Sequence, residues 1–217
     1  MLLKERYKKT IEYFLKNGPF PETELEYTDP FELIVAVILS AQCTDKRVNM
    51  ITPALMKAFP DAASMARASQ QEVFEYIRSC TYPNNKAKHL VGMARMLTEK
   101  FDGKVPQEPH LLQRLPGVGR KTANVVASVV YKKPVMAVDT HVFRVAKRIG
   151  LTVNAKTPLD AELQLLKNIP VELMHNAHHW LILHGRYVCK ARNPLCNECG
   201  LAGFCKYNKA VKVKKKN

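Results

Sequence analysis

The chain has 217 residues, 47% apolar and 24% charged, and its 34 Lys+Arg against 19 Asp+Glu give a net charge of +15. That length accommodates one large or two small domains with a sizeable core, and ordinary apolar content with only 13 Pro and 9 Gly excludes a disordered or low-complexity chain. No run approaches ~18 consecutive apolar residues, and the N-terminal Met-Leu-Leu-Lys-Glu-Arg-Tyr-Lys-Lys turns to charge where a secretory leader needs an apolar stretch, which predicts an intracellular protein without a membrane partner.

Residues 5–15 suit an amphipathic helix with Ile11, Phe14 and Leu15 on one face, ended by Asn17-Gly18-Pro19. Asp29-Pro30 reads as an N-cap followed by proline at the first helical position. That signal decides the nearly all-apolar run 31–39 in favour of a helix buried all round rather than a buried strand. Ser69 and Glu72 form a capping box ahead of Val73, Tyr76 and Ile77. Tyr82-Pro83-Asn84-Asn85 reads as a turn, and residues 86–100 carry Leu90, Met93, Ala94 and Leu97 at helical spacing. Asp102-Gly103 and Pro106 then open a loop, and the β-rich runs 124–131 and 135–138 lack clean alternation. The expected fold class is all-α.

The cysteines are unevenly spread. Cys43 and Cys80 lie in apolar or mixed surroundings and are expected to be buried, inert thiols. Cys189, Cys196, Cys199 and Cys205 fall in one window with gaps of six, two and five residues, which in an intracellular chain points to a metal site rather than disulfides. Such thiolates suit zinc or an iron–sulfur cube; zinc ribbons usually present two Cys-x-x-Cys pairs and only Cys196 with Cys199 forms one, so zinc is the lesser reading. His175, His178, His179 and His184 flank Trp180 without a His-Glu-x-x-His arrangement, which favours packing over ligation. The C-terminal run from Lys206, with Lys209, Lys212, Lys214, Lys215 and Lys216 and no acid, has the pattern of a flexible arm on phosphate and equally of a solubilising tail.

The segment Leu115-Pro-Gly-Val-Gly-Arg-Lys-Thr-Ala-Asn124 is the richest in the chain. It is not a P-loop, because Arg120 stands where a glycine must precede Lys-Thr, and it is not a dinucleotide fingerprint, because Thr122 takes the place of the third glycine. What remains is helix, tight Gly-Val-Gly hairpin, helix. Gly117 and Gly119 permit backbone conformations closed to other residues, and with Val118 and Arg120 they would present amide N–H groups to a DNA phosphate at the positive end of the following helix. An ordinary turn between packed helices has the same sequence.

These residues, followed by Ala137-Val-Asp-Thr-His141 and the cysteine window, and with further matches at Asp29-Pro-Phe-Glu-Leu33, at Leu39-Ser-Ala-Gln42 with Thr44-Asp45 and at His178-His-Trp-Leu-Ile-Leu-His-Gly-Arg-Tyr187, resemble the helix-hairpin-helix DNA glycosylase/AP-lyase family. The resemblance implies two helical domains. One spans residues 22–133 and includes the hairpin at about 107–131; the other joins 1–21 to 134–217 and holds a [4Fe-4S] cluster on Cys189, Cys196, Cys199 and Cys205. It further implies a monomer that binds double-stranded DNA between the domains. Lys121 would be the nucleophile that forms a Schiff base at a damaged nucleotide, Asp139 its carboxylate partner, and Asp45 a weaker candidate for the same pocket.

An amine attacks only when neutral, and displacing a lysine from ~10.4 to ~7.5 takes about 4 kcal/mol, of which a helix N-terminus supplies ~0.3–1 kcal/mol. Desolvation and cations such as Arg120 must supply the rest, which predicts Lys121 in a cleft. Asp139, ahead of Val142, Phe143, Val145 and Ala146, equally suits an N-cap. By family position Gln42 would fill the gap left by an extruded nucleotide. Tyr82 stands where relatives commonly carry an aliphatic wedge, a departure that bears on opposite-base preference. The implied activity is base-excision repair of oxidised pyrimidines. A monofunctional glycosylase for mismatched adenine or thymine and a non-catalytic DNA-binding iron–sulfur protein are the alternatives.

Overall fold

The computed structural model describes residues 1–18 and 20–214. It divides into two compact units, Thr23–Lys132 and a discontinuous unit of Met1–Glu22 with Lys133–Asn217. Among the described residues all regular structure is helical, and no helix is long and apolar enough to cross a membrane.

In the unit Thr23–Lys132 the organising element is α2 (Pro30–Ser40), numbered after α1 (Leu3–Asn17) of the other unit. Asp29 caps α2, its Oδ1 accepting from the amides of Phe31 at 2.7 Å and Glu32 at 2.9 Å, and Pro30 presets the first helical φ. Every residue from Leu33 to Leu39 is buried, as the apolar run demanded. Around it pack α3 (Asp45–Ala58), α6 (Pro83–Lys100) and α8 (Arg120–Tyr131). Two short helices, α4 (Ala62–Arg67) and α5 (Gln70–Ile77), lie on α6. α5 starts at the reciprocal Ser69–Glu72 box, with amide-to-side-chain bonds of 3.2 and 2.7 Å.

Two expectations are corrected in this unit, and one is met. Pro83, Asn84 and Asn85 form the first turn of α6 rather than a loop, since Pro83 occupies the N1 position and the Lys86 amide already bonds to Tyr82 O at 3.1 Å. The run 124–131 lies in α8, as the helix after the hairpin was expected to, tertiary burial against α2 outweighing the strand preference of its valines. Cys43 is only half-buried; Cys80 is buried, and the two sulfurs lie 3.9 Å apart.

In the discontinuous unit, α1 meets the core through Tyr7, Thr10 and Phe14, whereas Ile11 is half-buried and Leu15 is 41% exposed, so the apolar face lies to one side of the expected stripe. Phe14 stacks on Trp180 at 5.5 Å, and the Trp180 indole donates to Gly18 O at 2.5 Å. Trp180 belongs to α11 (Met174–Tyr187), which packs on α9 (Thr140–Ile149); α10 (Pro158–Asn168) lies against α9 as well. Residues 135–138 lie outside any helix, and Met136, Ala137 and Val138 are buried. The lysine-rich end is not an extended arm through residue 214: α12 (Lys206–Lys214) forms directly after Cys205 and packs on α9, with Asn208 Nδ2 donating to Ala202 O at 3.0 Å. Lys215, Lys216 and Asn217 lie outside the described residues.

Candidate functional site

The hairpin is built from α7 (Pro109–Leu112), a turn, and α8. Leu112, Leu115 and Val118 are buried and anchor the turn, and the Val118 amide bonds to Leu115 O at 3.1 Å. The two glycines serve different ends. Gly117 has φ +79°, and a Cβ there would lie 2.8 Å from His89 Cβ on α6, so both backbone and space require glycine. Gly119 has φ −84° and ψ 177°, an extended conformation open to any residue, which corrects the expectation that its backbone needs glycine. A Cβ on it would touch no protein atom within 4 Å.

Gly119 is the N-cap of α8 and offers no side-chain acceptor, and the first turn holds no acid. The first intrahelical bond runs from the Ala123 amide to Gly119 O at 2.9 Å, so the amides of residues 120–122 are not used inside the helix. Arg120 and Lys121 occupy the first two positions, where each cation is disfavoured by ~0.3–1 kcal/mol against the helix dipole. An uncapped, doubly cationic N-terminus beside a bare glycine is an anion-receptive surface. Lys121 is exposed, because burial of α8 begins only at Ala123.

Elsewhere in the same unit the structure brings Gln42 and Tyr82 together. Both are exposed and both are left-handed, with φ 55° and 53°, a conformation that non-glycine residues hold at a cost of about 1–2 kcal/mol. Thr81 Oγ1 donates to Gln42 O at 2.9 Å and lies 3.3 Å from Ala41 O. Beneath them is Lys86, 5% exposed, whose ammonium donates to Leu39 O at 2.7 Å, Ala41 O at 2.8 Å and Thr81 Oγ1 at 3.2 Å. Burial pulls its pKa below the ordinary lysine value. The sequence reading passed over this lysine, although Lys86, Leu90, Met93, Ala94 and Leu97 share one helical stripe and a cation on an apolar stripe is itself a signal.

Asp45 is the half-buried first residue of α3, which is capped by Thr44 Oγ1 accepting from the Arg47 amide at 3.2 Å. A carboxylate there stabilises the positive helix end. Asp139, in the discontinuous unit, caps α9: Oδ1 accepts from the Val142 amide at 2.8 Å.

The four late cysteines also belong to the discontinuous unit. They line one cavity, walled otherwise by largely apolar side chains such as Ile149, Val188, Leu195 and Leu201. Burial raises the Cys199 and Cys205 thiols above the ordinary cysteine range, and the negative charge of the neighbouring cysteines adds to it. Four thiolates facing one apolar cavity need a cationic centre, so the donor set suits iron–sulfur ligation.

The surroundings direct donors at this loop. Arg148 Nη1 lies 3.5 Å from Cys189 Sγ and donates to Lys190 O at 2.6 Å, Arg148 Nη2 donates to Ala191 O at 2.9 Å, and the guanidinium sits 4.5 Å over the Tyr207 ring. Arg144 Nε donates to Cys189 O at 3.1 Å. His184 Nε2 is 3.6 Å from Cys199 Sγ, and burial depresses its pKa to about 4, keeping the imidazole neutral. The other histidines pack: His179 Nδ1 is 3.0 Å from His175 O, and their rings lie 4.7 Å apart. No sequence spacing announced the two arginines, which come from α9.

Two family models match the chain: the HhH-GPD superfamily base excision DNA repair protein over residues 35–171, and the iron–sulfur binding domain of endonuclease III over residues 189–205. The chain is 46% identical to endonuclease III of Rickettsia conorii, over 92% of this chain and 94% of that one, and 43% identical to endonuclease III of Escherichia coli, over 91% and 93%. Its fold matches a trapped endonuclease III–DNA covalent intermediate with TM-score 0.92 at 40% identity, over 98% of this chain and all of the other. A thermostable thymine-DNA glycosylase shares the fold, with TM-score 0.83 at 22% identity over 96% and 97% of the two chains. With its hairpin, its cysteine loop and identity along nearly its whole length, the chain belongs to the HhH-GPD superfamily of base excision DNA repair proteins, among the endonuclease III glycosylase/AP lyases that carry a [4Fe-4S] cluster.

Proposed function

We propose that the chain releases oxidised pyrimidines from duplex DNA and then nicks the strand, with Lys121 as nucleophile and Asp139 as the assisting carboxylate. The observation that supports this most is the place of Lys121, at the uncapped N-terminus of α8 directly after the Gly117-Val118-Gly119 turn, in a chain of this family. The turn and the amides of the first turn of α8 would grip a backbone phosphate without reading sequence. Because Lys121 is exposed, its amine is open to a bound nucleotide.

The neutral amine attacks C1′ as the C1′–N bond to the base breaks, and the departing base takes up a proton. Ring opening then gives an imine between Lys121 and the sugar. Loss of a C2′ proton expels the 3′ phosphate by β-elimination, and hydrolysis of the imine frees the lysine. Asp139 has one oxygen on the Val142 amide and a second free to face the charge that develops at the sugar and to move protons about the amine. Gln42 and Tyr82 would enter the duplex, offsetting the few kcal/mol of extrusion. Asp45 contributes at most to the pocket wall. Cys189, Cys196, Cys199 and Cys205 would hold the cluster, which when bound supplies a covalent brace for the loop bearing exposed Lys190 and Arg192 and takes no part in the sugar chemistry. The protein would act as a monomer on damaged or abasic DNA in the nucleoid.

The presence of Lys121 speaks against the monofunctional mismatch alternative, and the family is enzymatic, which leaves the non-catalytic reading without support. Borohydride trapping across duplexes that each carry one oxidised pyrimidine tests the proposal: covalent adducts on those lesions are expected, and adducts confined to mismatched adenine or thymine would reject it.

Two further outcomes follow from the geometry. Asp139→Asn keeps a good N-cap and removes the charge, so stability should stay within about 0.5 kcal/mol while base release slows by roughly 10²-fold; Asp139→Ala should lose about 1 kcal/mol besides. Chemical denaturation alongside single-turnover kinetics separates the two roles. Gly119→Ala should leave the melting temperature unchanged yet weaken DNA binding several-fold by anisotropy, since its methyl meets only the space where phosphate would sit. Gly117→Ala should cost about 1–3 kcal/mol of stability through its positive φ and the His89 clash.

A further inference from the structure

The segments that carry Gln42 and Tyr82 are far apart in sequence and are joined by one buried cation. Lys86 gives all three ammonium protons to oxygens of these segments: two carbonyls at the C-terminal end of α2, Leu39 O and Ala41 O, and the hydroxyl of Thr81. Thr81 passes the link on by donating to Gln42 O at 2.9 Å. Each residue that would enter the duplex is therefore next in sequence to an atom of this network, and each is held in a left-handed backbone conformation that its side chain does not favour.

A lysine in the first turn of a helix opposes the helix dipole, and burying it to 5% exposure removes hydration from the charge. Among the described residues its hydrogen bonds go only to uncharged oxygens. An apolar side chain would fit the stripe of Leu90, Met93, Ala94 and Leu97 at less electrostatic cost. The negative end of α2 offsets part of the cost by presenting its last carbonyls to the ammonium.

We infer that Lys86 is a positioning residue for base extrusion: through Thr81 it sets the spacing of Gln42 and Tyr82, so that both side chains enter the duplex together when the damaged nucleotide leaves the stack. The inference rests on the reading of those two residues as duplex-entering groups. It implies that extrusion, and with it discrimination of the base opposite the lesion, depends on a lysine buried beneath the residues that enter the duplex.

The test uses the full-length, cluster-loaded protein with Lys86→Met, Thr81→Val and Thr81→Ser. Thr81 is exposed, so its variants fold even if Lys86→Met does not. Substrates are duplexes with one oxidised pyrimidine opposite each of the four bases, and a single strand with a preformed abasic site, which needs no extrusion. Lys86→Met and Thr81→Val are expected to lower kcat for base release about 10- to 100-fold with KM nearly unchanged, and to flatten the dependence on the opposite base. Thr81→Ser, which keeps the hydroxyl, is expected to match wild type, and borohydride trapping on the abasic strand should be normal in all three. Wild-type rates and opposite-base dependence in Thr81→Val would overturn the positioning role, and so would equal loss in Thr81→Ser, or equal loss on duplex and abasic strand. Failure of the wild-type protein itself to trap would instead reject the Lys121 chemistry, and the two failures are thereby distinguished.

Discussion

Lys121→Ala should abolish borohydride-trapped adducts with abasic DNA and slow strand nicking by about 10³-fold, or near 4 kcal/mol on the barrier, while leaving the melting temperature within a degree or two. The stability expectation follows from position. Lys121 is exposed at the second residue of α8, ahead of the stretch from Ala123 that packs against α2, and alanine is the better helix former. Removing a cation from the positive end of a helix is, if anything, favourable. DNA affinity should fall only modestly, by the loss of at most one ionic contact, and a salt titration would show a log–log slope shallower by about 0.9. Unaltered trapping in this variant would transfer the nucleophile to another amine and remove the chemical basis of the mechanism.

Cys199→Ser should strip the cluster and unravel the loop 189–205. A serine hydroxyl does not ionise to bind iron as a thiolate does, and metal–thiolate bonds in small loops carry folding free energy of their own. Few apolar contacts hold this loop otherwise: Leu201 is buried, while Lys190, Ala191, Arg192, Asn193, Asn197, Glu198 and Gly200 are exposed. A loss of several kcal/mol corresponds to a fall of about 10 °C or more in melting temperature for a chain of this size. Loss of visible cluster absorbance and of iron and sulfide on chemical analysis would accompany it. Damage should extend to α12, which starts at the residue after Cys205 and packs on α9, and to the contacts of Arg148 with Cys189, Lys190 and Ala191. Retention of full stability and of iron in Cys199→Ser would remove that cysteine from the ligand set.

Much of the helical framework was legible because its signals are local. Asp29 with Pro30, and Ser69 with Glu72, bond to amides two or three residues away, so spacing alone predicts the cap. The unbroken apolar run of α2 announced a helix with no solvent face, and the Gly-Val-Gly segment announced a turn between helices. Where the reading failed, the deciding interaction came from elsewhere in the chain. The buried face of α1 is chosen by Trp180, some 160 residues on, which stacks on Phe14, and by Leu151, whose carbonyl accepts from the Tyr7 hydroxyl at 2.8 Å, and Leu15 is left outside. Pro83 to Asn85 carry turn residues that equally suit a helical first turn, and packing of α6 under α4 and α5 selects the helix.

By itself the amino-acid order determined the chemistry available: a lysine after a glycine hairpin, an aspartate ahead of a helix, and four thiols at six, two and five residue gaps. Tertiary structure alone decided how those groups are held. It made Gly117 obligatory by setting His89 against it and left Gly119 free of contact, it left Lys121 exposed, and it drew Lys86 inside to join the segments of Gln42 and Tyr82. The reason is one of range: caps, turns and ligand spacings act over a few residues and are written in sequence, whereas burial and close approach depend on which distant side chain arrives beside them.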